Sequence, residues 1–312
     1  MKKNKFNNIS GLTLVEILIG IIITSIMMAA MYTSYTVVNN SYSQVTDRAK
    51  ISSSGRDIVG MLMGDIRMAG FKYYFGINDL GISTNDNLQY VAGDDPTTFN
   101  DSHAPLIVLK ETLGYDRDNA SLAPTKIEGE DLCCDRIHIV YGDFNQNDND
   151  QPYKRYRLTY FADSEPGNDF YSVYKTKESW IQKNDELTGS WSDKCSECYV
   201  GERIRDHIVD MEFIVIGEEG RLLNPPPRPD NSSRKDLNNI KTVDVRLTFR
   251  SHKAFFRNDP PTNKPRLVKG LGERSGGEVA TEFVDRFLRD SIIVSIHTRN
   301  IGSDCSIGYC LQ

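Results

Sequence analysis

The chain has 312 residues, 39% of them hydrophobic and 26% charged, enough to bury a sizeable core in one large domain or two small ones. Lys and Arg number 37 against 43 Asp and Glu, a formal charge of −6, which argues against a general nucleic-acid binder, since those present a basic face. The apolar residues are unevenly spread: residues 12–31 are almost all apolar, and the remainder is polar and loop-rich.

Residues 1–10 are mostly polar and contain Lys2, Lys3 and Lys5 with no acid. Gly11-Leu12-Thr13-Leu14-Val15-Glu16 follows, and Ile17 to Met31 is uncharged. Twenty helical residues rise about 30 Å, the hydrocarbon thickness of a bilayer. The leading lysines would stay cytoplasmic and send the rest outward. A secretory signal ending near Met28-Ala29-Ala30-Met31 competes, although the apolar run is long for one, and so does a plain single-span anchor. Neither explains an acid four residues past Leu12. A charge deep in the bilayer costs about 2.5–3.5 kcal/mol, and less near the interface, so a tolerated acid usually has a partner.

Gly11 to Glu16 resembles the type IV prepilin motif, a Gly followed by an apolar residue, Thr, two apolar residues and Glu. The resemblance implies that a prepilin peptidase cuts between Gly11 and Leu12 on the cytoplasmic side and methylates the new terminus. Leu12 stands where Phe is commonest in that family. The family's filament model pairs the Leu12 amine of an incoming subunit with Glu16 of its neighbour, setting axial register. The alternatives are that Glu16 pairs with its own terminus or sits among headgroups.

The helix is expected to continue beyond Met31, because Tyr32 to Ser43 has neither Pro nor Gly. Val45, Ala49, Ser52, Val59, Leu62, Ile66 and Ala69 recur at spacings near three and four, an amphipathic stripe that would pack on a sheet. Gly55, Gly60 and Gly64 weaken it by about 1 kcal/mol each against Ala, and Gly70 is the expected stop. From Leu12 to Ala69 such a helix would rise about 87 Å. Asp65-Ile66-Arg67-Met68-Ala69-Gly70-Phe71 resembles the end of the long helix in PilW-type minor pilins, and the chain's size suits that group. Asp65 and Arg67 read as solvated charges flanking the helix end.

Beyond residue 71 the pattern changes to short strand-like runs: 106–110, 136–141, 153–161, 170–174, 207–216 and 241–250. Val243, Val245, Leu247 and Phe249 alternate with Asp244, Arg246, Thr248 and Arg250, a half-buried strand. Residues 281–290 are compatible with a helix, and 292–298 with a closing strand that resembles the end of PilW-like chains. Residues 76–102 and 217–239 read as long loops, with Leu223 to Pro229 extended and exposed.

The six cysteines are Cys133, Cys134, Cys195, Cys198, Cys305 and Cys310, all beyond the apolar helix. An even count in an exported domain favours disulfides, first Cys305 with Cys310 and Cys195 with Cys198. Adjacent Cys133 and Cys134 then pair elsewhere, or one stays free. A zinc site on Cys195-x-x-Cys198 plus another pair is the sharper alternative, and a thioredoxin-like redox site lacks its βαβ context. Asp143, Asn145, Asn147 and Asn149 place side-chain oxygens at alternate positions, as a calcium loop does. The central Gly of an EF-hand is missing, and Lys154 stands where its bidentate Glu belongs, so a polar hairpin turn competes. Apart from this possible calcium ion, no cofactor is implied.

No hydrolase triad, Walker or dinucleotide motif stands out. His103, His138, His207, His252 and His297 are scattered, and Ser275-Gly276-Gly277 lacks the Lys of a phosphate loop. The expectation is an α+β, pilin-like interaction protein rather than an enzyme. It divides into a leader (1–11), a long helix (12–70, with 12–31 in the membrane or filament core) and a β-rich periplasmic domain (71–312). The resemblance implies other minor pilins, the major pilin, prepilin peptidase and the inner-membrane assembly platform as partners, with no nucleic acid. A J-like type II secretion pseudopilin is the near rival. A membrane-anchored binding protein or hydrolase that mimics the motif is the distant one.

Overall fold

The computed structural model describes residues 13–71, 104–110, 134–144, 153–164, 170–182, 189–227, 234–256, 260, 264–269, 271 and 280–301. The order is one long helix followed by antiparallel strands, an α+β architecture. The chain divides into two compact units, one reaching Lys50 and one beginning at Ile51.

Helix α1 spans Leu14–Met68. Its course to Lys50 is exposed almost throughout. From Ile51 a buried stripe begins: Ile51, Gly55, Ile58, Leu62, Ile66 and Ala69, at spacings of four and three. The sequence stripe therefore splits. Leu62, Ile66 and Ala69 belong to the packed face, Ser52 and Val59 lie at its margin, and Val45 and Ala49 are exposed. At Gly55 the helix lies close against the sheet. A Cβ there would lie 2.1 Å from Ile292 Cδ1 and 3.5 Å from Phe249 Cε2, so a residue that weakens the helix locally is what lets it sit down.

The helix ends in a left-handed Gly70 (φ 74°), whose N–H donates to Val140 O at 2.9 Å. A side chain there would press on Asn300 O at 3.0 Å. Gly142 N–H donates to Phe71 O, and Asn300 Nδ2 donates to Arg67 O, so β2 and the segment after β10 secure the turn.

The main sheet contains β1 (Leu106–Leu109), β2 (Arg136–Phe144), β3 (Tyr153–Asp163), β4 (Tyr171–Gln182), β5 (Gly189–Ser192), β6 (Tyr199–Ile216), β7 (Thr242–Arg250) and β10 (Arg289–His297). Its order is β1-β2-β3-β4-β6-β7-β10, with β5 pairing the far end of β4, and every pairing is antiparallel. Strands β8 (Arg266–Lys269) and β9 (Ala280–Phe283) form a separate pair. β6 pairs β4 over its first half and β7 over its second, changing partners through register shifts around His207 and Ile208.

One face of the sheet carries the core: Ile137, Ile139, Leu158, Tyr160, Phe213, Val215, Val245, Leu247 and Phe249 pack with the buried helix stripe. The other face differs from the half-buried expectation, because Asp244, Arg246, Thr248 and Arg250 are buried too. Asp244, Arg246 and Thr248 have local polar partners, and Arg250 has a ring contact. Arg246 reaches Asp210 and Glu212 (2.9 Å), Asp244 accepts from Ser295, Thr248 meets Ser291, and Arg250 lies over Phe287.

Two further expectations change. Residues 281–290 are not helical: β9 ends at Phe283, and in the following turn Arg286 O accepts from the Phe255 and Phe256 N–H groups before β10 starts. The Pro-rich segment is not fully exposed. Leu223, Pro226 and Pro227 are buried, and Leu223 N–H donates to Val215 O, because Leu223 fills an apolar gap beside the core. Asn224–Pro225 is cis, and Arg228 and Pro229 lie outside the described residues.

Candidate functional site

The helix start is built by reciprocal hydrogen bonds. Thr13 caps α1, and its Oγ1 accepts from Glu16 N–H at 3.3 Å. Glu16 Oε2 in turn accepts from Thr13 N–H and from the Thr13 hydroxyl, both at 2.9 Å. This is a capping box, Thr-x-x-Glu, in which the acid satisfies an amide that the helix leaves open. Its signal lies in the sequence, in the same Thr and Glu that carry the methylation-type spacing. Gly11 and Leu12 lie outside the described residues.

Beyond Glu16 the helix is long and apolar enough to cross a membrane. Its large side chains point outward around the whole circumference; Leu14, Ile21, Met28 and Met31 are all more than 60% exposed. A soluble protein would hide such a surface. The hydroxyls within it turn inward, Thr24 onto the Gly20 and Ile21 carbonyls and Ser25 onto Ile21, so no polar side chain in this stretch needs water. Past Met31 a narrower apolar row continues as Tyr35, Val38, Tyr42, Val45 and Ala49, also exposed. Its alternating steps of three and four are those of a helix that packs along another helix.

Asp65 is not a free solvated charge. It accepts the Tyr160 hydroxyl from β3 and pairs with Lys175 Nζ of β4 at 2.7 Å, tying the last turns of α1 to the sheet. Burial and the Asp65 charge both push the Tyr160 hydroxyl well above its usual range, and burial raises Tyr199 to about 12. Both phenols stay protonated, and Tyr160 donates to Asp65. Arg67 is exposed, as expected.

Cys195 and Cys198 are joined by a disulfide across a tight turn. This removes them as thiolate zinc ligands. Cys134 is disulfide-bonded as well, and no described cysteine is free; Cys133, Cys305 and Cys310 lie outside the described residues. Asp143 is exposed near the end of β2, with Lys154 of β3 as its cross-strand partner. Phe144 and Tyr153 are the last antiparallel partners of β2 and β3, and Asn145, Asn147 and Asn149 lie outside the described residues. Among the described residues no group of three His, Cys, Asp or Glu could hold a metal.

The described histidines do not form one cluster. His138 Nδ1 meets Thr159 Oγ1 at 2.8 Å, and burial, with the nearby Arg157 and Arg136, holds its pKa well below the usual value. His297 meets Thr242 at 2.9 Å. His207 and His252, 45 positions apart, do come together.

Residues 6–32 match the family model described as the prokaryotic N-terminal methylation motif. No curated protein matches the chain. Among solved structures, a type IV-like pilin from Thermus thermophilus aligns over 54% of this chain and 78% of its own, at 9% identity and a TM-score of 0.32.

Proposed function

We propose that this chain is a minor pilin of the PilW type, an interaction protein whose leader is removed after Gly11 and whose helix then packs with other subunits. The observation that carries the proposal is the coincidence of the methylation motif over residues 6–32 with an outward-facing apolar helix that has Glu16 in its first turn. In this reading prepilin peptidase cuts between Gly11 and Leu12, residues 12–31 enter the inner membrane and later the filament core, and the β-rich domain lies in the periplasm. The row from Tyr35 to Ala49 continues the helix-packing surface beyond the bilayer. The chain then joins other minor pilins in a priming or tip complex that receives the major pilin at the assembly platform. A J-like pseudopilin of type II secretion rests on the same features, and co-purification with pilus or secretion components separates the two.

Mass spectrometry of the mature protein tests the proposal: N-methylated Leu12 at the terminus is expected. An intact Met1, or cleavage near Ala30, would overturn it. Glu16→Ala is expected to leave processing intact and to reduce incorporation into filaments. Normal assembly of that variant would remove Glu16 from the mechanism.

A further inference from the structure

We propose that His207 and His252 form a two-imidazole site for a divalent transition metal of the zinc, nickel or copper(II) class. The two rings are brought together by the topology rather than by sequence proximity. His207 sits in β6 where that strand leaves β4 and takes up β7. His252 sits just past the end of β7. His252 Nδ1 faces His207 Nε2 at 2.7 Å, with the rings 63° apart and their centroids separated by 4.7 Å. The ring of Phe170 packs on His207 at 4.1 Å and fixes its plane.

Two observations point past a simple hydrogen bond. His207 has a left-handed backbone (φ 61°), an uncommon conformation for a residue with a Cβ, and it aims the ring at His252 from within a strand. The pair also lies near the surface, since His252 is exposed and His207 half-exposed. Zinc–nitrogen bonds of about 2.0–2.1 Å at a tetrahedral centre hold two nitrogens about 3.3 Å apart. The pair needs to open by about 0.6 Å, a small movement for the exposed His252 ring. Imidazole nitrogens select this metal class over calcium or magnesium, which take oxygen ligands. The proton now shared by the pair moves to the other nitrogen of the same ring, so both imidazoles stay neutral when the ion binds. Asp206 is held by Arg203 and Ser172, so it supplies negative field rather than a bond, and water completes the coordination.

The test is calorimetric titration of the full-length chain, without a polyhistidine tag and in detergent, with zinc chloride. One zinc ion per chain is expected. Removing a ligand is expected to weaken binding by at least about tenfold, since even second-shell losses cost that much. That applies to His252→Asn and to His207→Asn, which keeps a side chain tolerant of the left-handed backbone. His297→Asn, with far-UV circular dichroism as the check on folding, should bind as the parent does. Absence of binding at millimolar zinc would overturn the proposal. So would binding unchanged in both His207→Asn and His252→Asn, or binding lost in His297→Asn.

Discussion

Gly55→Ala pits helix propensity against packing at one atom. In an exposed helix the change stabilises by about 1 kcal/mol. At Gly55 the new methyl would lie 2.1 Å from Ile292 Cδ1 and 3.2 Å from Ile292 Cγ1, so the contacts with β10 and Phe249 must shift. Overpacking of this kind costs about 1–3 kcal/mol. The net expectation is a destabilisation of about 1 kcal/mol, against a gain of about 1 kcal/mol for Gly60→Ala, where a Cβ meets nothing within 4 Å. Ile292→Val removes the Cδ1 in question and alone costs about 0.5–1.5 kcal/mol. In the double variant the two changes should compensate, leaving a coupling of about 1 kcal/mol or more. Denaturant unfolding of the parent and these variants in detergent, followed by tryptophan fluorescence, measures every quantity. Gly55→Ala stabilising as much as Gly60→Ala, or strict additivity with Ile292→Val, would refute the idea that Gly55 sets how closely the helix approaches the sheet.

Arg246→Met would leave Asp210 and Glu212 buried without their shared cation, and a loss of about 3–5 kcal/mol is expected in the same unfolding assay. His138 has a folded pKa lowered by burial and by Arg157 and Arg136, so the unfolded chain binds the proton more readily. Its contribution is complete above about pH 6.5 and is lost as pH falls below that value, with a slope of up to about 1.4 kcal/mol per pH unit. Melting temperatures from pH 7.5 to 5 should therefore fall more gently in His138→Gln than in the parent, and equal slopes would disprove the assignment. Replacing Cys195 and Cys198 together by Ser opens a loop of only four residues, for which chain entropy predicts a loss of about 2 kcal/mol or less. Loss of the whole fold in that variant would contradict the reading of the bridge as a local staple.

The elements most legible in the sequence are those whose two faces differ. β1, β2, β3, β7 and β10 carry enough alternating or apolar character to be placed within a few residues. β4 and β6 extend well past their strand-like runs, because the added halves, such as Lys175 to Gln182 and Tyr199 to Asp206, contain charged side chains. Those charges are paired inside the structure: Arg157 with Glu178, Lys175 with Asp65, Arg203 with Asp206. Polarity marks them as loop only because most of their partners lie on other elements. Strands β5, β8 and β9 have four residues each, too few for a period to register. The exposed helix is legible for the opposite reason, since eighteen outward-facing residues from Leu14 to Met31 have no partner to hide. Gly55 and the His207–His252 pair are not legible. One depends on a neighbour more than 200 positions away, and the other on a change of strand partners.

The capping box changes how the proposed assembly step must be understood. A carboxylate entering the bilayer interface uncompensated is penalised, yet the Glu16 carboxylate already accepts two hydrogen bonds from Thr13, and the Glu16 N–H returns a third. In the proposed filament it would gain a neighbour's Leu12 amine. That gain is measured against a group already satisfied, not against a bare buried charge. The difference between the two states is therefore smaller than the strength of an isolated ion pair in a low dielectric. Such a pair supplies little net affinity. It can still set register, because a charge-assisted contact forms at one axial offset while the surrounding apolar surface packs nearly as well at several. Affinity would come instead from the exposed row running from the membrane segment through Tyr35, Val38, Tyr42 and Val45. In the proposed filament Glu16 would thus choose the position of a subunit, and the apolar row would hold it there.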